Sequence, residues 1–267
     1  MNIFWREMKA YRKSLIIWCI FVLYMVAAGM WKFASAYSAN QSLNELINQL
    51  PGAVRVLLGI RGSFDLSTAG GYYGLLYYYL VTMATVHATL MGAGIISKEE
   101  LDKTTEFLMT KPISRNQIVT AKLGVAFVNI LIFNMVATIS SIFVVGYFNT
   151  GEALTGEILT LMMGMFLLQL IFMLVGTGIA AVNKNPNIAT PLALITLMIA
   201  LVLAKAIDMS TKLEAWKYFT PIKYFEAEQL LLHGGFEAVF LILSVVIMAI
   251  FVSATYIFYK RKDLRAY

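Results

Sequence analysis

The chain of 267 residues is 60% hydrophobic and only 13% charged, with a mean hydropathy of +0.74, where an ordinary soluble domain carries about 25% charged residues. This excludes a soluble globular domain and points to an integral membrane protein built from apolar helices. The formal charge of +6 does not read as nucleic-acid binding, because the basic residues gather at the ends of apolar runs, where they orient a membrane protein.

Runs of about twenty apolar residues predict six spanning helices: Ser14 to Phe33, Tyr72 to Ile96, Ile118 to Phe148, Ile158 to Val182, Ile188 to Ile207 and Ala238 to Tyr259. Further spans follow the first, so a cleaved signal is not expected. Cys19, the single cysteine, lies inside the first run, where its expected role is packing, and no internal disulfide can form. An even number of spans puts both termini on one side. That side holds fourteen of the 21 basic residues and six of the 15 acidic ones, net +8 against −2 opposite, which predicts cytoplasmic termini.

Residues 1–13 mix aromatic and basic side chains, the pattern of a short helix in the membrane interface, or of a plain positive flank. In the outer segment 34–71, Leu43, Leu46, Ile47, Leu50, Val54, Leu57 and Leu58 recur at helical spacing around Pro51-Gly52. A broken amphipathic helix is expected there, resting on the membrane or capping an exit path. The run 70–79 then places five tyrosines at the outer end of span two. They form an aromatic belt or, for Tyr73 and Tyr77, line a translocation path.

Within span two, Ala84, Ala88 and Gly92 make a small-residue stripe for close helix packing or a dimer seam. His87 sits at the centre of the span, as a packing residue or a proton relay. Span three carries Asn134, Thr138 and Ser141, and span four carries Gln169 and Thr177. These either line a path for an amphiphile or hydrogen-bond between helices. Lys205, near an end of span five, can snorkel to the interface.

Enzyme chemistry is thinly supplied. The chain has two histidines, His87 and His233, and neither a His-Glu-x-x-His motif nor a Gly-x-Ser-x-Gly elbow. The Glu99-Glu100 pair has Thr104 where the Glu-Glu-x-x-x-Arg motif of intramembrane proteases needs arginine. No Gly-x-x-x-x-Gly-Lys-Ser/Thr loop occurs, so ATP energy must come from a partner.

The segment 97–117, SKEELDKTTEFLMTKPISRNQ, concentrates charge between spans two and three. Ser97 with Glu100, and Ser114 with Gln117, have capping-box spacing, and Pro112 stops a helix, so the expected form is helix, stop, helix. The acidic start, the run from Thr104 to Arg115, and Ile118 with Lys122 resemble permease subunits of the ABC-2 family of ABC transporters, although Thr104 stands where a glycine is common there.

The resemblance implies an all-α, type V exporter-like half-transporter of six spans in the cell membrane, forming one domain over 1–267 with an N-terminal interfacial helix and a cytoplasmic coupling helix. It implies ATPase coupling through Glu99, Glu100, Leu101, Asp102, Glu106, Leu108, Pro112 and Arg115, and a second cytoplasmic contact in the 183–187 loop at Asn183, Lys184 and Asn185. Its partners would be an ABC ATPase subunit, which carries ATP and magnesium, and a second permease subunit in a homodimer. Membrane lipid and an exported amphiphile, peptide ahead of drug or lipid, complete the expected set. No cofactor is expected on this chain. The alternatives are a membrane-embedded immunity or signalling subunit that docks an ATPase without transport, an ion-coupled carrier, and an intramembrane enzyme.

Overall fold

A computed structural model of the chain describes residues 3–38 (side chains through 36), 47, 49–60, 64–104, 113–149, 151, 153–232 and 235–262. All regular structure among them is helical: α1 (Ile3–Ser38), α2 (Gly52–Leu57), α3 (Ala69–Leu101), α4 (Arg115–Phe148), α5 (Thr155–Val182), α6 (Pro186–Met209), α7 (Ala227–Leu232) and α8 (Ala238–Arg261), with short 3₁₀ turns over 211–219 and 221–223. Six of these, α1, α3, α4, α5, α6 and α8, are long and apolar enough to cross a membrane.

Side-chain caps close three helix starts, and the Ser114–Gln117 box is the one expected from residue spacing. Thr68 caps α3 by accepting from the Gly71 amide at 3.1 Å. At the start of α4 the capping box closes in both directions, with Ser114 Oγ accepting from Gln117 N at 3.2 Å and Gln117 Oε1 from Ser114 N at 2.9 Å. Asn185 caps α6, accepting from Asn187 N at 3.0 Å, and Pro186 occupies the first helical position, where its missing N–H leaves no gap.

Other expectations change. Residues 3–13 form no separate interfacial helix; they open α1, whose 36 residues reach about 54 Å at about 1.5 Å each, well past a hydrocarbon core of roughly 30 Å. Nothing interrupts the backbone, because the segment contains neither proline nor glycine before Gly29. Ser97 caps nothing. It lies within α3, which runs on to Leu101, and its buried hydroxyl has no hydrogen-bond partner. A continuous helix is cheaper than a restart, since a new N-terminus would leave four amides to satisfy. The stop comes five residues later. Thr104 N donates to Glu99 O and Lys103 N to Glu100 O, around a left-handed Lys103 at φ 55, the Schellman pattern.

Among the described residues of the outer segment, Gly52–Leu57 form part of the expected helix as α2, which starts immediately after Pro51. Leu43 and Leu46, like His233, lie outside the described residues.

Helices α3 and α5 form the centre of the bundle, with α1, α4, α6 and α8 around them. Two glycines allow this. A Cβ on Gly92 would stand 2.0 Å from Met173 O, and one on Gly176 2.8 Å from Thr89 O. Main chain therefore packs on main chain where α3 crosses α5. Ala84 and Ala88, from the same stripe, are fully buried.

Candidate functional site

One end of the bundle gathers charged side chains from three helices. Arg6 and Glu7 of α1, Lys98 and Glu99 of α3, and Lys122 of α4 form a single network. Arg6 Nη2 donates to Glu7 Oε1 at 2.6 Å and to Glu99 Oε1 at 3.1 Å. Lys98 Nζ donates to Glu7 Oε2 at 3.1 Å and lies 5.2 Å from the Tyr11 ring centroid. Lys122 Nζ donates both to Glu99 Oε2 and to the Ile95 carbonyl. Glu7 and Lys122 are completely buried. In such surroundings an ammonium or carboxylate needs paired charge and hydrogen bonds together, and each of these has both.

The adjacent residue, Glu100, turns the other way and pairs with Lys262 at 2.7 Å. The same ammonium donates to Ala180 O of α5 at 3.3 Å. Arg115 closes the end of α8: its Nη1 donates to the carbonyls of Lys260 at 2.9 Å and Lys262 at 2.7 Å. A guanidinium here satisfies orphan carbonyls and complements the negative end of the helix dipole.

Of the residues expected to meet an ATPase, Glu99, Glu100 and Arg115 are therefore bonded within the chain. Leu101 and Asp102 are exposed at the turn, and Glu106, Leu108 and Pro112 lie outside the described residues. In the loop between α5 and α6, Lys184 and Asn185 are exposed and Asn183 is half-buried, its Oδ1 accepting from Asn185 N at 3.0 Å.

The expected path residues come together in part. Asn134 Nδ2 donates to Gln169 Oε1 and to Met162 O, each at 3.2 Å, and Thr138 Oγ1 donates to Asn134 O at 2.8 Å. These bonds join α4 to α5. Tyr73 is buried, and Tyr77 is buried with its hydroxyl donating to Phe225 O at 3.1 Å. His87 stacks on Phe133 with centroids 4.9 Å apart and leans on Trp18 at 5.1 Å.

At the opposite end, Lys223 bridges Asp208 at 2.6 Å and Glu226 at 2.7 Å. Lys205 donates to Val56 O at 3.0 Å and lies 3.8 Å from the Tyr78 ring centroid, so it holds α2 against the bundle. A cavity of about 50 Å³ lies beneath, among Phe64, Tyr77, Tyr78 and Phe225, and a wider recess of about 280 Å³ opens beside Asp208, Glu214 and Lys223. Among the described residues no group of three His, Cys, Asp or Glu side chains could hold a metal ion.

The family model for ABC-2 family transporter proteins matches residues 1–264. The chain belongs to that family. No curated protein matches the chain. As an ABC-2 permease it is the membrane-spanning component of an ABC transporter and not the ATPase, which is its partner subunit. With six apolar helices it is a multi-pass protein of the cell membrane.

Sequence reasoning did not single out Glu7, Lys98, Lys122 and Lys262 as a site, because each reads as part of a positive flank. Lys122 did carry a signal. It falls on the buried stripe Ile118, Val119, Val125, Ala126 and Asn129 of α4, a helical spacing that marks an inward-facing position.

Proposed function

We propose that this ABC-2 permease is the membrane half of an ATP-driven exporter, working as a homodimer over two ATPase subunits and moving a hydrophobic or amphipathic substrate, a peptide ahead of a drug or lipid, out of the cytoplasm or inner leaflet. The observation that carries the reading is a whole-length ABC-2 match on a chain whose basic end presents an exposed turn, Leu101–Thr104. The excess of lysine and arginine makes that end cytoplasmic. An ATPase docked there meets Leu101 and Asp102 directly, with Glu106, Leu108 and Pro112 continuing the contact and the Asn183–Asn185 loop forming a second one.

Outward apolar residues, among them Ile16, Ile20 and Trp31 of α1, Ile195 and Ile199 of α6, and Ile242 and Ile250 of α8, suit contact with lipid and a second copy. The polar pairs between α4 and α5 read better as interhelical bonds than as path lining, because Asn134 Nδ2 donates across the two helices to Gln169 Oε1.

The test is copurification from the native host. The wild-type chain should retain a P-loop ATPase that hydrolyses ATP and responds to amphiphiles. Leu101→Glu combined with Asp102→Lys should insert normally and lose most of that ATPase. Retention of the ATPase at the wild-type level would overturn the docking assignment. A complex that hydrolyses ATP without moving any amphiphile would overturn export.

A further inference from the structure

Two of the carboxylates expected to meet an ATPase, Glu99 and Glu100, are turned back onto the bundle: the partners of Glu99 lie on α1 and α4, and that of Glu100 follows the end of α8. We propose that Glu99 and Lys122 are positioning residues: they lock the exposed turn Leu101–Thr104 to α1 through Arg6 and Glu7, while Glu100 locks it to α8 and α5 through Lys262. The role of the turn in transport rests on the function proposed above, whereas the lock itself stands on geometry alone.

Glu99 sits at the root of the turn. Its main-chain carbonyl accepts from Thr104 N at 2.9 Å, so the residue that closes the turn also carries the carboxylate held from two sides. Lys122 grips one side, and because its ammonium also reaches the Ile95 carbonyl one helical turn earlier, it fixes both the position and the rotation of the last turns of α3. Arg6 grips the other side at 3.1 Å and is itself oriented by Glu7, whose second oxygen binds Lys98. A displacement of the turn must therefore either carry the start of α1 with it or leave buried charge unpaired. Because Glu99 and Glu100 are consecutive in a helix, their side chains diverge, and the same short stretch holds α1 and α4 on one side and α5 and α8 on the other. A push on Leu101 would thus be delivered to the bundle as a whole.

The lock can be tested on the chain alone in lipid nanodiscs. Spin labels at Lys9→Cys and Asp102→Cys, both exposed positions outside the network, are placed in a Cys19→Ser background, and their separation is measured by pulsed electron resonance. The otherwise unmodified chain should give one narrow distance. Glu99→Gln with Lys122→Met, which removes both buried charges together, should at least double the width of the distribution. Arg6→Gln, at a partly exposed side chain whose loss leaves the bundle folded, should do the same. Wild-type widths in both variants would overturn the lock.

A second measurement separates positioning from stability. Arg6→Gln, which leaves Glu7 paired with Lys98 and Glu99 with Lys122, should still fold and retain the copurifying ATPase, yet lower ATP hydrolysis per assembled complex at least threefold. An unchanged rate would overturn the positioning role. If the widths respond as expected while Leu101→Glu with Asp102→Lys leaves ATPase binding untouched, the lock stands and the reading of the turn as the docking site fails.

Discussion

Gly92→Ala is the sharpest test of how the bundle is centred. The added methyl would sit 2.0 Å from the main-chain oxygen of Met173, so α3 and α5 would have to separate by more than an ångström to restore ordinary contact. No side chain can rotate away, because the obstacle is backbone within a helix. Overpacking of this kind costs typically 1–3 kcal/mol, and a main-chain clash belongs at about 3 kcal/mol or above. Alanine also gains about 1 kcal/mol of helix propensity over glycine, which a control can cancel. Gly146 lies in α4 with nothing within 4 Å of its would-be Cβ, so Gly146→Ala receives the gain without the clash. At roughly 2–4 °C per kcal/mol for a chain of this size, Gly92→Ala should melt about 6–12 °C below Gly146→Ala, measured by fluorescence-detected thermal unfolding in one detergent. Equal melting temperatures would refute the close main-chain crossing of α3 and α5.

Two further effects follow from hydrogen bonds. Ser114→Ala removes the reciprocal cap at the start of α4 and should destabilise that terminus by about 1 kcal/mol, seen as faster amide exchange at Asn116 and Gln117 while the middle of α4 is unchanged. Asn134→Leu and Gln169→Leu, combined in a double-mutant cycle, should show a coupling of about 0.6 kcal/mol, with neither single change altering membrane insertion; additive effects would mean that the 3.2 Å bond contributes nothing.

Hydropathy alone located all six long helices, because a segment that crosses lipid must satisfy its own backbone and therefore declares itself in consecutive apolar residues. Local chemistry at the ends was equally legible where it depended on neighbours in sequence, as with Ser114 and Gln117. The same rule failed at Ser97, whose spacing to Glu100 is right for a capping box. A cap forms only where the helix breaks, and the apolar packing of Ile95 and Ile96 carries α3 past that point. Sequence could also not assign partners to charge. Glu99 and Glu100 look alike in a row of acids, yet one meets α1 and α4 and the other α8, a choice set by tertiary rotation of the helix. Lys122 was counted with the flanking bases because it stands only seven residues into α4; its place on the buried stripe was the stronger clue.

Stability does not account for placing these charges inside. A buried ion pair contributes little net stability compared with well-packed apolar side chains of similar volume, since desolvation offsets most of the attraction. Leucine or methionine at positions 99 and 122 would fill the same space at about equal free energy. Apolar contacts, however, are non-directional, and a helix end held by them can slide or rotate through many nearly equivalent packings. A carboxylate gripped by Lys122 on one side and Arg6 on the other has one satisfactory arrangement, and every departure from it leaves charge unpaired. The Leu101–Thr104 turn ends α3 through a non-glycine left-handed residue, Lys103, and is exposed throughout, so its own contacts do little to fix its direction. Its aim is set from behind by the charges that the sequence seemed to offer to a partner.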